Sequence, residues 1–382
     1  MESRFFIKGY GIYSSLGNSF SEFSNAIFSG KTGAAIVDSS CWPEKAQKYW
    51  QDQDSIPRAC LILDDNQLSS KQKLVSRLSR AFNQLETLDQ LRDSKSLGII
   101  FASTKGSIED YAWKEIDPLH FCDPLAIVLN EFIEQNNLTN IKSSICISNA
   151  CASSHAAIYQ AKCWLDSKEF EDVIVVAADE VGPFIMSGFK SLRALSVNES
   201  RPFSADRDGL ILGEAACALH LSSKLSDLVK FEISGVDIQN EAHAVTSPSN
   251  EGRGIFRCIQ NVLATGERPD LIIAHGTGTK LNDDVEDTVF EKVLREYQLD
   301  ALVTGSKWSV GHTLGASGLV DTIGSVACMN ENRAYGITSL LDSSHLGGNY
   351  YLSETQKMDI SSVMITSLGF GGTNAALIIK RI

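Results

Sequence analysis

Five short apolar, β-branched runs recur along the chain, each bounded by polar or small residues: SLGIIFAS (96–103), SSICIS (143–148), DVIVVAA (172–178), DLIIAH (270–275) and SSVMITS (361–367). Runs that are apolar on both faces predict strands in a sheet covered on both sides. Helix-length segments lie between them, among them HAAIYQAKCWLDSKEF and DVEDTVFEKVLREYQL. In the second, Val285, Val289, Phe290, Val293 and Leu294 recur at the spacing of an amphipathic helix. The alternation predicts an α/β fold with a largely parallel sheet. No low-complexity segment or Pro/Gly/Ser linker divides the chain. Segment 38–60, with two tryptophans and two prolines, is the least regular part and reads as a surface excursion.

Composition narrows the class. At 382 residues the chain suits two domains or one duplicated unit with a substantial core. The N-terminus lacks the apolar core of a signal peptide, and no apolar run reaches membrane-spanning length, so no membrane association is expected. Nine scattered cysteines, with no C-x-x-C pair and no zinc-like spacing, read as reduced thiols in a cytoplasmic protein. A net charge of −13 argues against nucleic acid as a partner. One segment runs the other way: SSKQKLVSRLSR (69–80) carries Lys71, Lys73, Arg77 and Arg80 and no acid. It is either a solvated helix face or a docking patch for an acidic partner.

Sites in open α/β sheets form at the carboxyl ends of strands. ISNACASS, LIIAHGTGT and SLGFGGTN directly follow expected strands, and GSKWSVGHTLGASG sets a histidine in a Gly-rich turn. Cys151 stands at a strand–helix junction among Ala150, Ala152, Ser153 and Ser154. Free N–H groups and the helix dipole there favour thiolate, although many free cysteines are simply small buried hydrophobes. His275 ends a strand, a place that also suits an ordinary satisfied polar group. His312 precedes a helix of very small residues, whose N-terminus disfavours imidazolium and keeps the ring neutral. Lys307 follows ALVTGS, where partial burial is expensive without a partner. The glycines around Phe370 let its N–H neighbourhood converge on an anion, though a tight turn also uses glycines. His120, His155, His220, His243 and His345 read as structural or surface residues, with His155, one helical turn after Cys151, the one to check.

Taken in order, NACASS, RPFSADRDGLILGEAA, HGTGTKLND, SKWSVGHTLGASG and GFGGTN resemble the β-ketoacyl-acyl carrier protein synthases of the thiolase superfamily, in particular the elongating enzymes with a Cys-His-His site. KGYGIYSSLGNS and GFKSLRALS fit as well, so the resemblance spans nearly the whole chain. It implies a thiolase-like five-layer α-β-α-β-α fold built from two similar halves. Residues 1–225 would carry the cysteine, and 226–382 the two histidines and the GFGGTN turn. It also implies a decarboxylative Claisen condensation of an acyl-enzyme thioester with malonyl-acyl carrier protein, in fatty acid, polyketide or polyene biosynthesis. No metal or organic cofactor is implied; the substrates ride on the carrier's phosphopantetheine. The expected partners are an acyl carrier protein and a second synthase subunit, as a homodimer or heterodimer.

By motif position, Cys151 is the expected nucleophile, and the backbone N–H groups of Cys151 and Phe370 the oxyanion hole. His275 and His312 would serve decarboxylation and condensation, with Lys307 ordering the pair. Phe189 and Phe370 match gating phenylalanines, and Arg201, Asp206, Arg207 and Glu214 are read as structural ion pairs. The basic segment falls where the family has a basic helix near the site entrance, which makes Lys71, Lys73 and Arg77, with Arg193, candidates for carrier docking. Three departures stand out: a shorter chain, Lys280 where proline is usual, and Asp321 where glutamate is usual. Asp321 is expected to pair with Lys307, directly or through a water. An alternative is a chain-length-factor-like partner subunit with weak or no condensing activity, against which the presence of Cys151, His275 and His312 argues. A thiolase is disfavoured, since SVGHTLGASG presents histidine and no cysteine matches the second thiolase position.

Overall fold

The computed structural model describes residues 4–51, 58–63, 68–112, 122–226, 229–343 and 345–382. His120 lies outside them. Ten strands form one sheet: β1 (Phe5–Ser14), β2 (Leu97–Ala102), β3 (Ile141–Ile147), β4 (Asp172–Asp179), β5 (Ala215–Ser222), β6 (Phe231–Asn240), β7 (Leu271–Ile273), β8 (Leu302–Thr304), β9 (Ser362–Gly369) and β10 (Thr373–Arg381). Their order is β8-β7-β9-β10-β6-β1-β5-β4-β2-β3. Read outward from the centre, β1-β5-β4-β2-β3 repeats as β6-β10-β9-β7-β8. The two runs join through a short antiparallel ladder, Phe5–Ile7 against Phe231–Ile233.

Helices then sort by which run they cover. On the first run's outer face lies α1 (Ser70–Phe82), which packs on β1, β4 and β5 and on α2 (Ala126–Gln135). Between the runs lie α3 (Ser153–Asp166) and, in chain order after α4 (Pro183–Ser191), α5 (Arg253–Leu263) and α6 (Lys280–Tyr297), the last helix α7 (Ser317–Glu331). Helix α3 touches β2 and β4 of one run and β6 and β10 of the other; α7 touches β1 and β5, and β9 and β10. Helix α5 covers β6 and β10 from outside, with α6 packed on it. This is the five-layer α-β-α-β-α arrangement. The small residues of α7 explain its place: it is buried on every side from Ser317 to Met329, as a helix without a polar face must be.

The expected largely parallel sheet is corrected to a mixed one. Parallel pairing is confined to β2 with β3 and β4, and β7 with β8 and β9; the remaining ladders are antiparallel. The excursion at 38–60 is corrected too. Trp42 and Trp50 are buried against Met186 and Phe189 of α4, and Trp50 Nε1 donates to Ser187 Oγ at 3.2 Å. Among the described residues no helix is long and apolar enough to cross a membrane.

The basic segment also changes meaning. Helix α1 opens with a capping box, Ser69 with Gln72, and buries Leu74, Leu78, Ala81 and Phe82. Arg77 lies on that buried stripe, only 4% exposed, with Nη1 3.2 Å from Glu214 Oε1 and Nη2 donating to Ile62 O at 3.1 Å. Arg77 is therefore not a docking residue: its charge is spent inside the protein. Lys71 pairs with Glu131 of α2 at 2.5 Å, and Arg80 lies over the Tyr13 ring. Of the four cations only Lys73 has no such partner among the described residues.

Removing one member of a buried ion pair strands the other, at about 3–5 kcal/mol. Arg77→Met is expected to lower the free energy of urea unfolding by about 3 kcal/mol. A loss below about 1 kcal/mol would show that Glu214 is held well enough by the N–H groups of Ile62 and Val181, which also donate to it.

Candidate active site

Chain entry into α3 sets the cysteine. Ala150 takes φ +46°, a left-handed conformation that costs a non-glycine residue about 1–2 kcal/mol. Ser153 holds it there: its Oγ donates to Ala150 O at 2.6 Å and accepts the Asn149 N–H at 2.8 Å. Cys151 is thereby presented at the strand–helix junction, 5% exposed.

Opposite it, the turn between β9 and β10 runs through Gly371 and Gly372 at φ +84° and +78°. The turn carries the Phe370 N–H to the Cys151 sulfur, where the cysteine's own N–H also points. A Cβ at Gly369 would stand 3.3 Å from Ala152 N and 3.5 Å from Cys151 N, so glycine permits this approach. Ser367 Oγ donates to Cys151 O at 3.2 Å, strapping the two segments together.

His312 follows the short helix Lys307–Val310. Its N–H donates to Ile211 O at 2.7 Å and its carbonyl accepts the Gly213 N–H at 3.0 Å, so its backbone is clamped to an adjacent segment. Nδ1 accepts the Leu314 N–H at 3.2 Å and lies 3.0 Å from Ser317 Oγ. With Nδ1 accepting, the ring proton sits on Nε2, 3.1 Å from Cys151 Sγ. His275 leaves the end of β7. Its N–H and that of Gly276 each donate to Glu286 of α6 at 2.7 Å. The two imidazoles stand perpendicular, 5.3 Å apart, and the ligand atoms of Cys151, His275 and His312 lie within 4.8 Å of one another.

Beneath them Lys307, 2% exposed, places Nζ 3.2 Å from Asp321 Oδ2, while Ser306 Oγ donates to the other carboxylate oxygen. Burial, then the Lys307 charge, pushes His312 down to about 3 and His275 well below the ordinary histidine value. Both rings are neutral, and for His312 the first cause is burial and not the expected helix N-terminus. Burial also pushes Cys151 up to about 11, against the pull of the Phe370 N–H and Lys307. The expected thiolate is thus a thiol at rest, because the depth of the site outweighs the start of α3. The three side chains are of a kind that binds soft or borderline metals, but the Lys307 ammonium opposes a second cation in the same dry site.

Phe189, from α4, stacks on Phe370 at 5.7 Å and meets His312 edge-on at 6.5 Å. The group lies at the base of a cavity of about 400 Å³ also lined by Arg193, Thr277, Thr279 and Lys280. Arg201 pairs with Asp206 and Glu199, and Arg207 with Asp283 and Asp284, whereas Glu214 belongs to Arg77. Two supporting acids escaped the sequence reading. Glu286 holds the His275 backbone, and burial raises it to about 7. Asp179, fully buried, accepts from Thr104 N and Gly315 N at 2.9 and 2.8 Å and fixes the turn after His312. The signal that could have led to Glu286 is Asp283, an acid in the first turn of α6, three residues before it; Asp179 ends a strand with no such signal. Of the other histidines, His155 is buried against Gly318 with neither ring nitrogen bonded, His220 joins Asp172 and Thr87, and His345 joins Arg207.

Residues 143–226 match the family described as beta-ketoacyl synthase, N-terminal domain, and residues 230–338 its C-terminal domain. A 3-oxoacyl-[acyl-carrier-protein] synthase 2 of Coxiella burnetii is 28% identical over 99% of this chain and 99% of its own. One of Synechocystis sp. is 24% identical over 100% of this chain and 98% of its own. Among solved structures, a type II polyketide synthase ketosynthase complex with its acyl-carrier protein superposes with TM-score 0.86 at 19% identity, each chain covered completely. A Xenorhabdus doucetiae ketosynthase in complex with its chain length factor gives 0.80 at 21%, covering 100% of this chain and 98% of that one.

The Nε2–H of His312 stabilises negative charge on sulfur, so its loss raises the thiol pKa. A hydrogen bond to a charged group is worth about 1.5–3 kcal/mol. His312→Leu is expected to slow iodoacetamide alkylation of Cys151 at pH 8 about tenfold or more. An unchanged rate would mean that the ring does not act on the sulfur.

Proposed function

The chain belongs to the β-ketoacyl synthase family, and from that premise we propose that it condenses an acyl group held on Cys151 with malonyl-acyl carrier protein, as an acyltransferase of fatty acid, polyketide or polyene biosynthesis. The observation that carries this reading is the sulfur of Cys151 set 3.1 Å from His312 Nε2, with His275 in the same buried group at the base of an open cavity.

In the first step the Cys151 thiol gives up its proton to solvent in the open cavity, and the sulfur attacks the acyl thioester of the carrier's phosphopantetheine. The oxyanion of that tetrahedral intermediate takes the N–H groups of Cys151 and Phe370. The carrier thiolate leaves and takes up the proton. A malonyl thioester then enters. Its carboxylate leaves as carbon dioxide, and the electron pair moves into an enolate whose oxygen is met by the neutral rings of His275 and His312. The enolate carbon attacks the acyl carbonyl in the same oxyanion hole, the bond to Cys151 breaks with its electron pair passing to the sulfur, which regains a proton from solvent, and the β-ketoacyl thioester departs on the carrier. Neutral rings suit this chemistry: they give a hydrogen bond to developing negative charge without paying to bury a second cation beside Lys307. Phe189 and Phe370 would close the cavity between steps. Residues 1–225 and 226–382 form the two halves of this reading, which places it in the cytoplasm with an acyl carrier protein and a second synthase subunit. The intact Cys-His-His set favours an active condensing subunit over an inactive partner.

Asp321→Asn separates the steps. Acylation needs the thiol and the oxyanion hole, so acyl-enzyme formation, read by intact mass, is expected to stay within a few-fold of wild type. Condensation needs the histidine pair that Lys307 and Asp321 hold, and is expected to fall about a hundredfold, or about 2.7 kcal/mol. Equal loss in both would indicate a folding defect, and no loss in either would remove Asp321 from the mechanism.

A further inference from the structure

Two cations line the cavity beyond the histidines, Arg193 and Lys280, and they stand on different elements. Arg193 follows the end of α4, and Lys280 begins α6. Both are exposed, and neither has an acid within ion-pair distance among the described residues. Each has a leucine as its chain neighbour that lines the same cavity and is itself exposed: Leu192 at 49% and Leu281 at 42%. The mouth therefore presents the same couple, one apolar side chain and one free cation, from two elements.

Arg193 is also held in a conformation that other residues fill more easily. Its φ is +54°, in the left-handed region where a helix end ordinarily places glycine or asparagine. The Arg193 N–H donates to Lys190 O at 2.8 Å, and the flanking Ala194 bonds through its N–H to Phe189 O at 3.1 Å. The acids of the cavity wall, Glu241 and Asp208, form no ion pair with Arg193 or Lys280 among the described residues and are turned to other donors. Glu241 accepts from Ser249 N and Oγ at 2.8 Å each and from Gly254 N at 3.2 Å, and Asp208 accepts from Val197 N at 3.3 Å.

We infer that Arg193 and Lys280 clamp the phosphodiester of the carrier's phosphopantetheine arm at the mouth of the cavity, while Leu192 and Leu281 cover the gem-dimethyl carbon beside that phosphate. This rests on the reading that substrates arrive on a carrier. The arm fits the arrangement in order: an anion, then a compact apolar branch, then an amide chain leading to the thioester. Along the cavity lining, the two cations and the two leucines are exposed, Thr279 is half-buried, and Thr277 and Cys151 are buried. Lys280 acquires a task that its sequence position alone did not assign, and Arg193 a definite one: an anion at a fixed depth instead of a general attraction to an acidic surface.

The test uses the whole protein and two small thioesters of one acyl group, acyl-phosphopantetheine and acyl-pantetheine, which differ only by the phosphate. The rate of Cys151 acylation by each is read by intact mass. Wild type is expected to prefer the phosphorylated thioester about tenfold, the effect of one charge-assisted contact, and the preference should shrink as salt is added. In the double variant Arg193→Gln, Lys280→Gln the preference is expected to fall to within about twofold of unity. The acyl-pantetheine rate of the same variant serves as the internal reference for its folding. Arg193→Lys with Lys280→Arg should retain the preference. A wild type without preference, or a double variant that keeps it, overturns the clamp and leaves the condensing reading intact. Absence of Cys151 acylation by both thioesters overturns the two together.

Discussion

Lys307 places a full positive charge in the innermost layer of the protein, and the site depends on how that charge is balanced. An ammonium so deeply buried is tolerable only against an anion, and Asp321 supplies it from the second turn of α7. The same charge keeps protons off His275 and His312 and draws negative charge toward Cys151. Burial is the larger cause of the rings' neutrality, and the Lys307 charge adds to it while favouring negative charge on the Cys151 sulfur.

Geometry comes from the doubling of the sheet. The cysteine follows β3 of one run and His275 follows β7 of the other, so both runs of the doubled sheet contribute to the site. The turn after β9 and the segment before α7 close the group from the second run, with Ser367, Glu286 and Asp179 holding the backbones that carry the reacting atoms. Few of the hydrogen bonds that position the site are made by the reacting side chains. They are made by their backbones, while His312 Nε2 is left to meet the Cys151 sulfur.

How much of this was legible in the sequence follows from what burial does to a pattern. The strands found as apolar runs, β2, β3, β4, β7 and β9, all belong to the parallel pairs; β2, β4, β7 and β9 are buried along almost their whole length, whereas β3, at the sheet edge, is partly exposed, against the expectation of a strand covered on both faces. Strand β1 hid because Gly9 and Gly11 interrupt it, and Gly11 is there for a reason outside the strand: a Cβ would stand 2.0 Å from the backbone oxygen of Ala81 in α1. Strand β6 hid behind Glu232, Asp237 and Gln239, which satisfy polar partners at its margins. Cys151, His275, His312 and Phe370 were legible as motifs, and the structure brings them together. Arg77 was misread because charge was counted along the segment without asking which face of the helix it occupied. The thiolate was misread because a sequence marks where a helix begins and not how deep that beginning lies. Asp179 and the tryptophans under α4 act through contacts distant in the chain, which no local pattern records.

The central claim is that Cys151 and the two neutral histidines perform one carbon–carbon bond-forming reaction. The direct measurement starts from enzyme acylated at Cys151, freed of donor, and supplies malonyl-acyl carrier protein in a single turnover, with the masses of enzyme and carrier followed together. The account predicts that the acyl group leaves the enzyme as the carrier gains a β-ketoacyl chain made of that acyl group plus two carbons, with one carbon dioxide released for each. An acyl-enzyme that persists while the carrier stays malonylated, or loses carbon dioxide to become only acetylated, would contradict it.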